Sequence, residues 1–189
     1  PSCRDREPAR RAEARGVTIG VVGGGTWGTA LAIHLSRAQA PVRLWARESE
    51  VVEGIRRDRR NPWYLPDVPV PAAVQVTGDL DAVAHDVEIV IVAVPSEFVG
   101  KTLEALGRIP AGVPIVSATK GFDPQRHLRM TEVILEKFPG APIAALSGPT
   151  FAREVAAGQP TAAVIASADE VLAARLQRRL GTREFRLYT

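Results

Sequence analysis

The chain has 189 residues, 46% apolar and 24% charged, with a formal net charge of +3. That size and balance fit one compact globular domain. They exclude a helix-spanned membrane protein, because no apolar run approaches the ~20 residues a span needs, and a nucleic-acid binder, because the body is nearly neutral and lacks any matching motif.

Residues 1–16 form a polar leader, read as disordered. It holds five arginines against Asp5, Glu7 and Glu13, so most of the positive excess lies there. It has no apolar stretch and is therefore not a secretory signal. Cys3 is the single cysteine, so no internal disulfide is available; this fits a reducing cytoplasm. The chain starts without Met, which reads as a fragment or trimmed product. Residues 17–189 are expected to form one domain.

Val17 to Val22 is a β-branched run read as a strand, followed by Gly23-Gly24-Gly25 and a helix with Trp27, Ala30, Leu31, His34 and Leu35 on one face. Val42 to Trp45 reads as a second strand, Glu48 to Arg60 as a charged helix, and Asn61 to Pro71, with four prolines, as a loop. Val74 to Val76 suits a short strand, and Asp79 caps a short helix. Val87 to Val94 is apolar but for Glu88, as in a strand buried on both faces. A helix over Glu97–Leu106, a strand over Val113–Ala118 and a helix over Arg126–Phe138 follow. Pro142 to Leu146 is a strand, and Thr150 caps a helix ending at Ala157. A strand over Thr161–Ala166, a helix over Asp169–Leu180 and a strand over Phe185–Tyr188 complete the chain. This alternation predicts an α/β fold: a doubly wound, mostly parallel, Rossmann-like sheet with helices on both faces.

Gly23-Gly24-Gly25-Thr26-Trp27-Gly28 matches G-x-G-x-x-G between the first strand and the first helix. In that context Gly23 makes the tight turn, Gly25 lets a pyrophosphate approach the backbone and Gly28 lets helix pack on strand. The helix N-terminus adds free N–H groups and partial positive charge. The competing reading is a glycine turn without a ligand. An NAD-selective site usually carries an acid at the tip of strand two. Leu44-Trp45-Ala46-Arg47 has none there, and Arg47 can stack on adenine or pair with a 2′-phosphate. NADP is therefore expected, with NAD open; alternatively Arg47 is a solvated surface residue.

GGGTWGTAL (Gly23–Leu31), VRLWAR (Val42–Arg47), NPWYLP (Asn61–Pro66), VAVPS (Val92–Ser96), ATKG (Ala118–Gly121) and SGPTFARE (Ser147–Glu154) stand in one order. The set resembles bacterial-type NAD(P)-dependent glycerol-3-phosphate dehydrogenase over nearly all of residues 17–189. The resemblance implies reduction of dihydroxyacetone phosphate to sn-glycerol 3-phosphate, for phospholipid synthesis, in the cytoplasm. It implies cofactor contacts at Thr26, Trp27, Arg47, Lys120 and Ala152, beside the turn residues Gly23, Gly25 and Gly28. It implies substrate contacts at Lys120, Gly148 and Thr150. It also implies a second, helical domain with a general acid–base lysine. None of Lys101, Lys120 and Lys137 matches that lysine, so no catalytic residue is expected in this chain. A homo-oligomer stays open for a full-length form, and an exposed apolar face is expected where the second domain would meet the sheet.

On residues alone, Lys120 stands at a ligand-side strand end, yet a lone loop lysine also suits solvent. Thr150 suits plain capping as well as an oxygen seat; Pro95-Ser96 stands at a ligand-side strand end, which the resemblance implies borders the cofactor, or Ser96 simply caps the next helix. His34 reads as packing, Trp45 and Trp63 as packing or loop anchors, and Asn61 and Tyr64 as a loop closing on the adenine side. No Cys/His metal spacing occurs. Two other functions compete: a β-hydroxyacid or ketopantoate-type reductase, opposed by SGPTFA, and a non-catalytic dinucleotide sensor, opposed by Lys120, Gly148 and Thr150.

Overall fold

The computed structural model describes residues 18–38 and 40–189. The leader over residues 1–16, Cys3 within it, and Val17 lie outside the described residues. Among the described residues ten strands and seven helices follow one another, mostly in alternation. They are β1 (Thr18–Val22), α1 (Thr26–Arg37), β2 (Val42–Trp45), α2 (Ser49–Asp58), β3 (Arg60–Asn61), β4 (Leu65–Pro69), β5 (Val74–Thr77), α3 (Leu80–Val83) and β6 (Val87–Val92). Then come α4 (Ser96–Ala105), β7 (Ile115–Ser117), α5 (Met130–Lys137), β8 (Ile143–Ser147), α6 (Ala152–Ala157), β9 (Thr161–Ala166), α7 (Glu170–Leu180) and β10 (Phe185–Tyr188).

Eight strands form one sheet in the order β10-β9-β8-β7-β6-β1-β2-β5. All neighbours are parallel except β8 and β9, which run antiparallel. The doubly wound, mostly parallel expectation therefore holds. From β1 the chain winds out through β2 and β5, then returns to β6 on the other side of β1 and winds away through β7. The two arms part between β1 and β6, and the crevice at the carboxyl ends of such strands is where this architecture takes its ligands.

Burial explains the strands. Ile19, Val21 and Val22 of β1 and Val90, Ile91 and Val92 of β6 are buried, as two covered faces require. Helix α1 is buried from Gly28 to Leu35, since it lies between the sheet and α6. A helix apolar on most sides is a core helix. Helix α2 is two-faced: Val51, Val52 and Ile55 point inward while its arginines and acids are solvated.

Three expectations are corrected. Helix α2 stops at Asp58 rather than Arg60, because Arg59 turns left-handed (φ 54°) and its guanidinium donates to the carbonyls of Val70, Pro71 and Val74. The proline-rich segment is not a plain loop: β3 and β4 pair antiparallel as a small hairpin. Prolines are tolerated because such an edge leaves N–H positions unused. Helix α5 starts at Met130 rather than Arg126. Asp123 first closes a turn, its Oδ1 accepting from the N–H groups of Gln125 and Arg126 at 3.0 and 2.8 Å. Glu132 then accepts from the Arg129 N–H at 2.8 Å and caps the helix.

Candidate functional site

The site grows from the end of β1. Gly23 has φ 126°, a conformation that side chains rarely adopt, and a Cβ there would lie 2.7 Å from the Ala93 carbonyl oxygen. The turn is thus pressed against the end of β6. Gly28 has the packing task expected of it: a Cβ would stand 1.8 Å from the Gly23 oxygen. At Gly25 a Cβ would meet nothing within 4 Å, so that backbone faces open space. Helix α1 begins there with no side-chain cap and no acid in its first turn. Its leading N–H groups lack intrahelical partners and carry the positive end of the helix dipole.

A buried side chain holds this turn. Asn61, fully buried, donates from Nδ2 to the Gly24 oxygen and to Thr29 Oγ1, both at 2.8 Å. Its Oδ1 accepts from the Tyr64 N–H at 3.1 Å, and Thr29 Oγ1 donates to the Gly24 oxygen at 3.2 Å. No peptide bond is cis among the described residues. In a trans peptide the C=O and N–H point opposite ways. Tying the Gly24 carbonyl to Asn61 therefore turns the Gly25 N–H away from the hairpin. The prolines of NPWYLP hid this role. The readable signal was an amide side chain directly before a proline-rich hairpin.

The cleft beside the turn has a cavity volume of about 160 Å³. Gly23 and Gly25 form its floor, Arg47, Glu48 and Tyr64 one wall, and Pro95 and Phe98 the other. The Arg47 guanidinium lies 5.7 Å from the centre of the Phe98 ring. It also donates to Glu48 Oε1 from Nη2 at 3.0 Å and from Nε at 3.3 Å. Arg47 is solvated, as one reading had it, but it is also tied into this wall. Tyr64 Oη donates to the same Glu48 oxygen at 3.4 Å. Burial first, then the charge and hydrogen bond of Glu48, push the Tyr64 phenol above its ordinary range. Glu48 and Phe98 are cleft residues that motif reading missed, whereas Pro95 stands where a ligand-side strand end was expected. Glu48 follows Arg47 directly, one position past the residues inspected for an acid.

A second cluster lies at the ends of β7 and β8. Lys120 Nζ donates to the Thr150 carbonyl at 3.0 Å, to Thr150 Oγ1 at 3.1 Å and to the Gly148 carbonyl at 3.5 Å. So the lysine, although exposed, has its amine held over the SGPT turn. The expectation that Thr150 caps α6 is corrected. Phe151 holds the cap position without a side-chain cap bond, and the Thr150 hydroxyl serves Lys120 instead. Ser96 likewise caps nothing: it is the first residue of α4, and Pro95 precedes it.

Trp27 joins the two clusters. Its indole N–H donates to the Ala118 oxygen at 2.9 Å, and its ring lies 5.4 Å from Lys120 Nζ. Thr26 turns its hydroxyl to the Tyr64 oxygen at 3.3 Å. Ala152 opens α6, partly buried against the core, and belongs to neither hydrogen-bonded cluster. His34 is packing, as read: it is buried and bonded to the Leu180 oxygen at 2.9 Å, with Phe185 beside it at 4.6 Å. Burial holds its pKa below the ordinary value. Trp45 is buried, whereas Trp63 is exposed on the hairpin.

A strand–glycine turn–helix at the switch point, an acid-free helix start and open space over Gly25 suit a diphosphate. They define a dinucleotide-binding domain of the doubly wound class.

Comparison with known proteins carries this further. Residues 18–173 match the family model described as NAD-dependent glycerol-3-phosphate dehydrogenase N-terminus, and the chain belongs to that family. It is 43% identical over 172 residues to a glycerol-3-phosphate dehydrogenase (NAD(P)+) of Sphingopyxis alaskensis, a match covering 90% of this chain and 51% of that protein. A relative from Koribacter versatilis is 46% identical over 176 residues, covering 90% and 52%. The crystal structure of glycerol-3-phosphate dehydrogenase from Coxiella burnetii superposes with a TM-score of 0.80 at 33% identity, covering 92% of this chain and 53% of that one. The Plasmodium falciparum enzyme superposes at 0.84 with 26% identity, covering 95% and 54%. The chain spans about half the length of the curated relatives it matches.

Proposed function

We propose that this chain is the coenzyme-binding half of an enzyme that uses NADH or NADPH to reduce dihydroxyacetone phosphate to sn-glycerol 3-phosphate. The observation that carries the reading is the pairing of two clusters through Trp27: an uncapped helix start over an open glycine, and a lysine amine fixed over Gly148 and Thr150. The bound coenzyme supplies a hydride.

The backbone at Gly23, Gly25 and Thr26 receives the diphosphate, with Gly28 keeping α1 close behind it. Arg47, packed on Phe98, lines the adenine side of the cleft. Lys120 sits between coenzyme and substrate, close enough to both clusters to offer positive charge to a substrate oxygen. Gly148 and Thr150 shape the substrate side, and Ala152 borders it at the start of α6. Reduction also needs a proton donor at the carbonyl oxygen, and Lys120, held by Thr150, is assigned here to positive charge rather than to that proton. The reading carries with it a cytoplasmic setting. Among the described residues no helix is long and apolar enough to cross a membrane.

Calorimetric titration of the 189-residue chain with NADH and NADPH tests the reading. Saturable binding of at least one coenzyme is expected, together with turnover of dihydroxyacetone phosphate far below the roughly 1–10³ per second of ordinary enzymes. A chain that melts cooperatively yet binds neither coenzyme at millimolar concentration refutes it.

A further inference from the structure

We propose that Thr119 is a positioning residue: its hydroxyl, bonded to the end of β6, sets the place from which Lys120 reaches the SGPT turn. The inference rests on the reading of Lys120 given above and adds what holds that lysine.

Strands β6 and β7 pair in parallel as far as Val92 and Ser117. Just beyond, the Ala118 N–H donates to the Val92 oxygen at 2.8 Å. Bonds of a parallel ladder recur at every second residue of each strand, so the next would run from the Lys120 N–H to the Val94 oxygen. Among the described residues no backbone N–H donates to that oxygen. Thr119 Oγ1 donates to it instead, at 2.9 Å. The Val92 oxygen is farther from the hydroxyl, at 3.4 Å, and a hydroxyl has one proton, so Val94 is its partner. A side chain thus supplies the last rung, and the backbone leaves the sheet before Lys120. It turns at Gly121, whose φ is 101°. A Cβ on Gly121 would stand 3.5 Å from Ser96 Oγ, so this turn lies beside the start of α4.

The stretch around Lys120 is therefore fixed from three sides. Trp27 of α1 donates to the Ala118 oxygen at 2.9 Å, Thr119 is tied to Val94, and Gly121 lies by Ser96. From this base Lys120 Nζ meets Thr150 O, Thr150 Oγ1 and Gly148 O. A lysine stem is flexible, and its amine keeps three acceptors together only if its base stays in place. Threonine suits the task, because branching at Cβ restricts its χ1 and aims the hydroxyl. Val94 lines the coenzyme cleft with Pro95 and Phe98. One hydroxyl thereby joins a wall of that cleft to the residue before the lysine. The bond between Ala118 and Val92 closes the ladder without it, so its loss displaces Lys120 rather than opening the sheet.

The test is labelling of the folded 189-residue chain with limiting acetic anhydride, read lysine by lysine in the mass spectrometer. Lys101 in α4 and Lys137 in α5 are exposed and serve as references within the same molecule. Thr119→Val keeps the shape and removes the donor. Labelling of Lys120 relative to the references should rise at least about threefold, as loss of one such bond implies. Thr119→Ser, which keeps the hydroxyl, should return it to within about twofold of the unsubstituted chain. A change confined to stability lowers Tm without moving this ratio. An unmoved ratio in a cooperatively melting Thr119→Val chain overturns the proposal, and so does a rise that Thr119→Ser shares in full. Should Thr119→Val fail to melt cooperatively, Thr119→Ala takes its place with the same expectation and the same refutation. Titration with NADH keeps the two readings apart: a folded, unsubstituted chain that binds no NADH removes the coenzyme reading, and with it the purpose assigned to Thr119, whatever the labelling ratio.

Discussion

The centre of the sheet and its far end are built from equally apolar strands, yet they are in different situations. Val21 of β1 and Ile91 of β6 are covered on both sides, with α1 on one face and α3 and α4 on the other. At the other end β9 reads Thr-Ala-Ala-Val-Ile-Ala, but only alternate residues are buried. Val164 is 46% exposed, and Tyr188 of the neighbouring β10 is 54% exposed. A continuous apolar run therefore identifies a strand without saying whether both faces have partners. The lesson bears on the site. The glycine turn is rigid because it grows from the doubly covered centre, where the Gly23 N–H donates to the Trp45 oxygen at 3.1 Å and the Ala93 N–H to the Val22 oxygen at 2.8 Å. Val164 and Tyr188, paired across β9 and β10, stand exposed together.

The sharpest way to break this contrast is at the turn itself. Gly28→Ala drives a methyl into the Gly23 oxygen, and a loss of about 3 kcal/mol or more is expected. That is a fall in Tm of roughly 6–12 °C for a chain of this size. Gly25→Ala points a methyl into open space and should leave Tm within about 2 °C, while NADH affinity falls at least about tenfold because the methyl occupies the approach to the backbone. Equal melting of the two variants would show that the turn is not held by the core.

Next in size, Asn61→Ala strips the Gly24 oxygen and Thr29 of a buried donor, at an expected cost of about 1–3 kcal/mol. It should also weaken NADH more than adenosine, since only the former uses the Gly25 N–H. A parallel loss for both ligands in titration would mean that Asn61 supports the fold without orienting the turn. The smallest effect belongs to the open face. Val164→Ala should change stability by no more than about 0.5 kcal/mol, against about 2 kcal/mol for Val21→Ala in the centre. Denaturant melts that place the two substitutions together would contradict the difference in cover.

Much of this was legible in the residues. Runs of β-branched residues located β1, β2, β6 and β7, and the glycine spacing between β1 and α1 located the turn, because short-range patterns determine short-range structure. What stayed hidden depends on distant partners. Asn61 reaches Gly24 across 37 residues, and Lys120 reaches Thr150 across 30. No local rule could report that Thr150 serves an amine rather than a helix end. The β3–β4 hairpin was masked by its own prolines. Glu48 was visible in the sequence, but its side chain could equally have capped α2. Only the fold shows it turned toward Tyr64.

The position of β1 in the sheet also bears on how the chain is made. It is the first of the described strands to leave the ribosome, yet one of its edges is closed only by β6. Between the completion of β2 and that of β6 lie roughly fifty residues, some 2–10 seconds of synthesis at ordinary elongation rates. Throughout that interval Ile19, Val21 and Val22 present an unpaired apolar edge to the cell. The glycine turn at the end of β1 gains its second supporting strand only when β6 has closed that edge.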